Sequence, residues 1–126
     1  MIESVGIDII EVSRIKNVID RWGDSFLRRV YTPWEINYCS RKKFPEQSFA
    51  ARFAVKEAVL KAIGTGYNDG IKWTSVEIVN DERGQPTVRL GEKIQNIIGK
   101  KKIKISMSHT REHAVANAIL YDEQKG

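Results

Sequence analysis

Residues 46–63, EQSFAARFAVKEAVLKAI, decide the architecture. The run is rich in Ala, Leu and Lys, which favour helix, and Gly64 stands where a helix C-terminus takes a left-handed residue. Its apolar residues do not make a single stripe. Phe49, Phe53, Ala54, Ala58 and Leu60 take one side, and Ala51, Val55, Val59 and Ala62 take the other. A helix that is apolar nearly all round lies inside the molecule or in a subunit interface.

Upstream, residues 4–12 (SVGIDIIEV) read as a strand. Val5, Ile7 and Ile9 alternate onto one face, and Gly6, Asp8, Ile10 and Val12 onto the other. Both faces are mostly apolar, so the strand is expected to be covered on two sides, with Asp8 as the misfit. Ser13 is expected to cap a helix through Trp22, with Ile15, Val18, Ile19 and Trp22 as its buried stripe and Gly23 as its stop. A short amphipathic segment, Asp24 to Val30, follows. Thr32-Pro33-Trp34-Glu35 carries a capping box and a first-turn Pro, and predicts a helix to about Ser40.

Downstream, Gly64-Thr65-Gly66 and Asn68-Asp69-Gly70 make a loop. Strands are expected over 71–79 and 87–90, with a turn between Asp81 and Pro86, and a short helix over 92–98. Residues 102–108 (KIKISMS) alternate cleanly, His109 to Glu112 turn, and Ala114 to Tyr121 run back. The sum is an α+β fold in one domain over 1–126: an antiparallel sheet, rejoined by the N-terminal strand, with a helical first half and one long central helix.

Composition narrows the function classes. The chain has 126 residues, and its 21 Lys+Arg against 16 Asp+Glu give a formal net charge of +5. Such a balance favours acidic partners without choosing among them. The lone Cys39 excludes a disulfide scaffold and points to a reducing, cytoplasmic setting. No apolar run approaches the roughly 20 residues that span a bilayer. The start of the chain, with Asp8 inside its apolar run, does not read as a signal peptide. A nucleic-acid module would suit the charge and the Lys100–Lys102 run, but it would leave Asp8 and Glu57 without a task.

The informative groups are ionisable residues on apolar surfaces. Glu57 shares a helix face with Ala50, Phe53 and Ala54, and Lys61 lies about 40° further round. An ordinary i,i+4 ion pair is one reading of the two, and a strand edge or bulge is one reading of Asp8. Together, two carboxylates and an ammonium are what a Mg²⁺-assisted phosphoryl site requires, with hard oxygen ligands for the metal and a cation to neutralise phosphate charge. Arg52 lies at another azimuth and is read as facing water or a neighbouring subunit. Ser108-His109-Thr110 ends a strand, where side chains project into a cleft. Gly64-Thr65-Gly66 follows a helix instead of preceding one, so it is no P-loop.

Gly6-Ile7-Asp8-Ile9 leading to Arg14, then Arg52-Phe53-Ala54-Val55-Lys56-Glu57-Ala58 continuing to Lys61-Ala62-Ile63-Gly64-Thr65-Gly66, resemble holo-[acyl-carrier-protein] synthase, the small trimeric class of 4′-phosphopantetheinyl transferases. Thr32-Pro33-x-Glu35, Gly84-Gln85-Pro86 and Ser106-Met107-Ser108-His109-Thr110 fit the same pattern in the same order. Val55 and Met107 are small departures from it. The resemblance implies transfer of 4′-phosphopantetheine from coenzyme A to a serine of apo-acyl carrier protein, leaving adenosine 3′,5′-bisphosphate, in fatty acid biosynthesis. Asp8 and Glu57 would hold Mg²⁺ against the pyrophosphate, and Lys61 would contact that pyrophosphate. The serine proton would go to Glu57 or to a water on the metal. His109 and Arg52 would bind nucleotide phosphates, Pro86 would lie near the adenine, and Gly64, Ser108 and Thr110 would complete the coenzyme A site. Arg14 and Arg21 would dock the acidic carrier. The resemblance also implies a homotrimer with active sites at subunit interfaces, and neither a nucleic-acid nor a membrane partner.

Overall fold

The structure is a computed structural model that describes residues 1–66 and 70–123, so Asn68 and Asp69 of the expected loop lie outside the described residues. Its elements in order are β1 (Ile2–Glu11), α1 (Val12–Trp22), α2 (Asp24–Val30), α3 (Pro33–Ser40), α4 (Pro45–Ile63), β2 (Val76–Asn80), β3 (Pro86–Leu90), α5 (Glu92–Ile98), β4 (Lys102–His109) and β5 (His113–Tyr121). The strands form two antiparallel sheets: β1-β5-β4, with the N-terminal strand on its outer edge, and the hairpin β2-β3. The mixed architecture is the expected one, but the expected single sheet is divided. Residues 71–75 also differ. These were expected to start a strand, but Trp73–Ser75 close a 3₁₀ turn instead. There Trp73 stacks on Phe53 at 4.8 Å between ring centroids.

Helix α4 is the interior helix its composition demands. Ala50, Ala51, Ala54, Val55, Ala58, Val59, Leu60 and Ala62 are all buried, and Gly64 closes the helix at φ 84°. The sheet meets α4 through small side chains. In the ladder Gly6 pairs with Ala118, Asp8 with Ala116 and Ile10 with Ala114, and the same alanines pair with Ile105, Met107 and His109 of β4. Directly paired residues share a face, so all nine belong to one surface. A Cβ built on Gly6 would stand 1.9 Å from the Ala58 carbonyl oxygen and 2.7 Å from the Ala62 nitrogen. Strand and helix therefore touch backbone to backbone at this point, and only glycine fits.

The opposite face of β1 is open. Val5, Ile7 and Ile9 are 60%, 63% and 66% exposed, against the expectation of cover on both sides. Two details of α1 also differ. The helix begins two residues early, with Glu11 at its cap in place of Ser13 and no side-chain cap bond, because Val12 is buried and its N–H donates to the Glu112 carbonyl at 2.8 Å. Trp22 is 58% exposed, with the Arg21 guanidinium 5.3 Å from its ring centre, because the helix is anchored near its start through Val12 and Ile15.

The Thr32 capping box forms as expected: the Thr32 Oγ1 accepts from the Glu35 N–H, and Glu35 Oε1 accepts from the Thr32 N–H at 2.9 Å. Glu35 also does something its cap signature does not announce. It is wholly buried and pairs with the equally buried Lys56 of α4 at 2.9 Å, while its Oε2 accepts from the Ile78 N–H at 2.9 Å. Lys56 Nζ donates as well to the Trp73 carbonyl at 3.1 Å and to the Val76 carbonyl. Burial pulls the ammonium below its usual range, with Glu35 opposing the shift. One ion pair thus ties α3, α4, the 3₁₀ turn and β2 together. Among the described residues no helix is long and apolar enough to cross a membrane.

Candidate active site

The strand–helix contact at Gly6 sets the position of the carboxylates. Asp8 lies two residues further along the same face of β1, beside the last turns of α4. Lys61 Nζ reaches across, donating to Asp8 Oδ1 at 3.1 Å and to the Ile7 carbonyl at 3.0 Å. The cross-element pair replaces the i,i+4 partnership with Glu57 that helix spacing alone suggests. Glu57 joins the same cluster. Its carboxyl is held above the ordinary range first by burial and second by the negative charge of Asp8, with Lys61 pulling the other way. Two acidic groups far apart in the chain are therefore brought to the same side of the β1–α4 contact, one the misfit of an apolar strand and the other one turn before Lys61 on an interior helix.

A second cluster lies elsewhere on the same chain. Arg52, expected to face water or a neighbouring subunit, is only 3% exposed. Its Nη2 donates to Asn80 Oδ1 at 2.7 Å and its Nη1 to Ser48 Oγ at 3.4 Å, its guanidinium sits 4.5 Å from the Tyr38 ring centre, and its Nε has no partner among the described residues. It lines a cavity of about 430 Å³ together with Lys42, Lys43, Gly84, Pro86 and His109. Arg52, Pro86 and His109, separated by up to 57 positions in sequence, thus converge on one basic hollow. The cavity wall does not include Asp8, Glu57 or Lys61. Ser108 and Thr110 are not part of it either. Ser108 is exposed on the sheet face opposite His109, and the Thr110 hydroxyl accepts from the N–H groups of Glu112 and His113 to hold the β4–β5 turn. Gly64 serves as the cap of α4 beside Lys61.

Residues 4–118 match the family model of the 4′-phosphopantetheinyl transferase superfamily. The chain belongs to that superfamily. A holo-[acyl-carrier-protein] synthase of Koribacter versatilis is 46% identical over 125 residues, covering 97% of this chain and 100% of that one. Among solved structures, the holo-[acyl-carrier-protein] synthase of Neisseria meningitidis superposes with a TM-score of 0.87 at 30% identity, covering 97% of this chain and 100% of that chain. The Bacillus anthracis enzyme, solved in complex with CoA (3′,5′-ADP), gives 0.79 at 35% identity, covering 95% and 96%. Of the side chains lining the basic hollow, one was misplaced and one was missed in the sequence. The burial of Arg52 was hidden because a cation on a helix is ordinarily solvated. Asn80, its anchor, was absent from every motif; the only signal was its position just ahead of the Asp81–Pro86 turn.

Proposed function

We propose that this chain moves the 4′-phosphopantetheine arm of coenzyme A onto a serine hydroxyl of apo-acyl carrier protein. The serine oxygen attacks the phosphorus next to the pantetheine, the bridging P–O bond breaks, and adenosine 3′,5′-bisphosphate departs. The observation that carries this reading is the convergence of Asp8, Glu57 and Lys61 where β1 meets α4.

A Mg²⁺ ion fits the first cluster, because two hard carboxylates whose charges oppose one another are relieved by a divalent cation. Asp8 and Glu57 would hold it, and it would supply charge neutralisation for the pyrophosphate. Lys61, half exposed beside them, contributes a positive charge to the departing phosphate. The serine proton passes to Glu57 or to a water beside it, both within the same cluster. Arg52 and His109 are assigned to nucleotide phosphate and Pro86 to the adenine side.

The open strand face and the separation of the two clusters favour assembly of the family's homotrimer, with Val5, Ile7 and Ile9 buried between copies and each complete site built across a boundary. Ile7→Glu is expected to yield a species of monomer mass by light scattering, with carrier loading lost along with the trimer. A variant that stays trimeric would place the interface elsewhere. Arg14 and Arg21, both exposed on α1, suit an acidic carrier, and the reaction so read belongs to fatty acid synthesis in the cytoplasm. Arg14→Glu with Arg21→Glu should raise the KM for carrier by about tenfold or more and spare the KM for coenzyme A, as expected of charge pairs at a docking face. Equal effects on both constants would remove α1 from that role.

Because Glu57 is raised, the folded state holds its proton more tightly than the unfolded chain does. Its contribution to stability is full below pH 4.5 and is lost as pH rises through the raised folded value. Glu57→Gln should therefore melt higher than the native protein at pH 7 and equally at pH 4. Mg²⁺ should raise the native melting temperature at pH 7 and have a smaller effect on the variant. A full Mg²⁺ shift in Glu57→Gln would remove Glu57 from the metal. The direct test of function is incubation with apo-carrier, coenzyme A and Mg²⁺, followed by intact mass. Gain of a phosphopantetheine arm, absent without metal, is expected; an unmodified carrier under all conditions would refute the activity.

A further inference from the structure

Arg52 does not hold its pose alone. Its Nη2 donates to the Asn80 side-chain Oδ1 at 2.7 Å, and the other end of that amide, Nδ2, donates to the Gly84 carbonyl at 2.8 Å. Gly84 belongs to the turn that delivers Pro86 to the cavity wall, and it takes φ 81°, a value other residues rarely adopt. The turn is stiff in its own right. Asp81 Oδ1 accepts from the N–H groups of Arg83 and Gln85 at 2.9 Å each, and the Asp81 N–H donates to the Gln85 carbonyl at 2.8 Å. One amide therefore couples the buried guanidinium to the loop that forms the opposite side of the hollow. The choice of amide matters. An aspartate at 80 could accept from Arg52 equally well, but it would cancel the guanidinium charge, and it could not donate to Gly84. A neutral acceptor orients the cation and leaves its charge for a ligand.

We infer that Asn80 is a positioning residue for coenzyme A: it aims Arg52 at a phosphate of the nucleotide, keeps that cation unneutralised, and holds the Pro86 turn at a matching distance. This rests on the assignment of Arg52 to nucleotide phosphate given above. The pyrophosphate is assigned to the Asp8–Glu57–Lys61 cluster, so the phosphate left for Arg52 is the one on the ribose. The 3′-phosphate is then what Asn80 helps to recognise, and dephospho-coenzyme A lacks it.

The test compares kcat/KM for coenzyme A with that for dephospho-coenzyme A in Asn80→Ala, Asn80→Asp and Arg52→Gln, each checked for its melting temperature and, as assembled protein, for kcat at saturating coenzyme A. Asn80→Asp should lower the preference for coenzyme A by about tenfold, through KM, with kcat within about twofold of native, as expected of lost ground-state binding. Asn80→Ala should lower it by a smaller factor, since the charge survives and only the aim is lost. A merely structural role predicts the reverse order, because aspartate keeps one hydrogen bond to Arg52 and alanine keeps none. If Arg52→Gln abolishes the preference and both Asn80 variants retain it, the inference about Asn80 is wrong and the phosphate assignment stands. If Arg52→Gln retains the preference, the assignment beneath it fails.

Discussion

Asp8→Ala is expected to reduce carrier loading by a factor of about a thousand, on the order of 4 kcal/mol of lost transition-state stabilisation, with the fold preserved. The carboxylate sits on a strand face otherwise made of Gly6, Ile10 and the alanines of β5, and its side chain makes an ion pair with Lys61 at 3.1 Å. A charged group in that setting contributes little to packing. Removing it leaves the Lys61 ammonium half exposed and still bonded to the Ile7 carbonyl, so the melting temperature should move little. Chemistry should suffer more, because Glu57 would be left as a lone carboxylate, and one carboxylate holds a divalent cation far less firmly than two. The rate of mass gain on the carrier, followed with the melting curve, checks both halves. Native turnover in a folded Asp8→Ala protein would remove Asp8 from the reaction.

Gly6→Ala should act in the opposite manner, on the fold before the chemistry. The added methyl would stand 1.9 Å from the Ala58 oxygen and 2.9 Å from the Ala58 carbonyl carbon, both backbone atoms that cannot swing aside. β1 and α4 would have to separate along their contact, loosening the alanine seam at Ala114, Ala116 and Ala118. Overpacking against backbone should cost about 3 kcal/mol or more, and for a chain of this size that lowers the melting temperature by about 10 °C. Whatever protein survives should load carrier poorly, since Asp8 rides on the displaced strand. Thermal unfolding by circular dichroism decides it. A variant melting within about 2 °C of native, a shift worth well under 1 kcal/mol, would mean that the close approach is absent in solution.

Much of this was readable before any coordinates. The Thr32–Glu35 box announced α3, and the all-round apolar character of residues 46–63 announced an interior helix. The failures share a cause, which is that periodicity reports how apolar a position is and not what lies opposite it. Val5, Ile7 and Ile9 read as covered because three β-branched residues on one face demand cover, yet one chain does not provide it. Trp22 read as core because it continues the spacing of Ile15 and Ile19, but α1 is anchored near its other end. Arg52 was misjudged in the other direction, and the burial of Lys56 went unread. Their burial depends on Asn80, Glu35 and two backbone carbonyls contributed by segments 17 to 28 residues away, and no local pattern encodes such partners. Glu35 is the clearest case, since its capping duty fully accounts for its presence and so conceals the second one.

The Glu35–Lys56 pair also restricts how this protein can drift. Losing either partner strands the other charge with no route to water, a penalty of about 3–5 kcal/mol that a marginally stable domain tolerates poorly. Losing both still orphans the Ile78 amide and two carbonyls. Mutational paths out of this arrangement therefore pass through a deep fitness trough, whereas the neighbouring alanines can be exchanged one small step at a time. Positions 35 and 56 should behave as a single inherited unit.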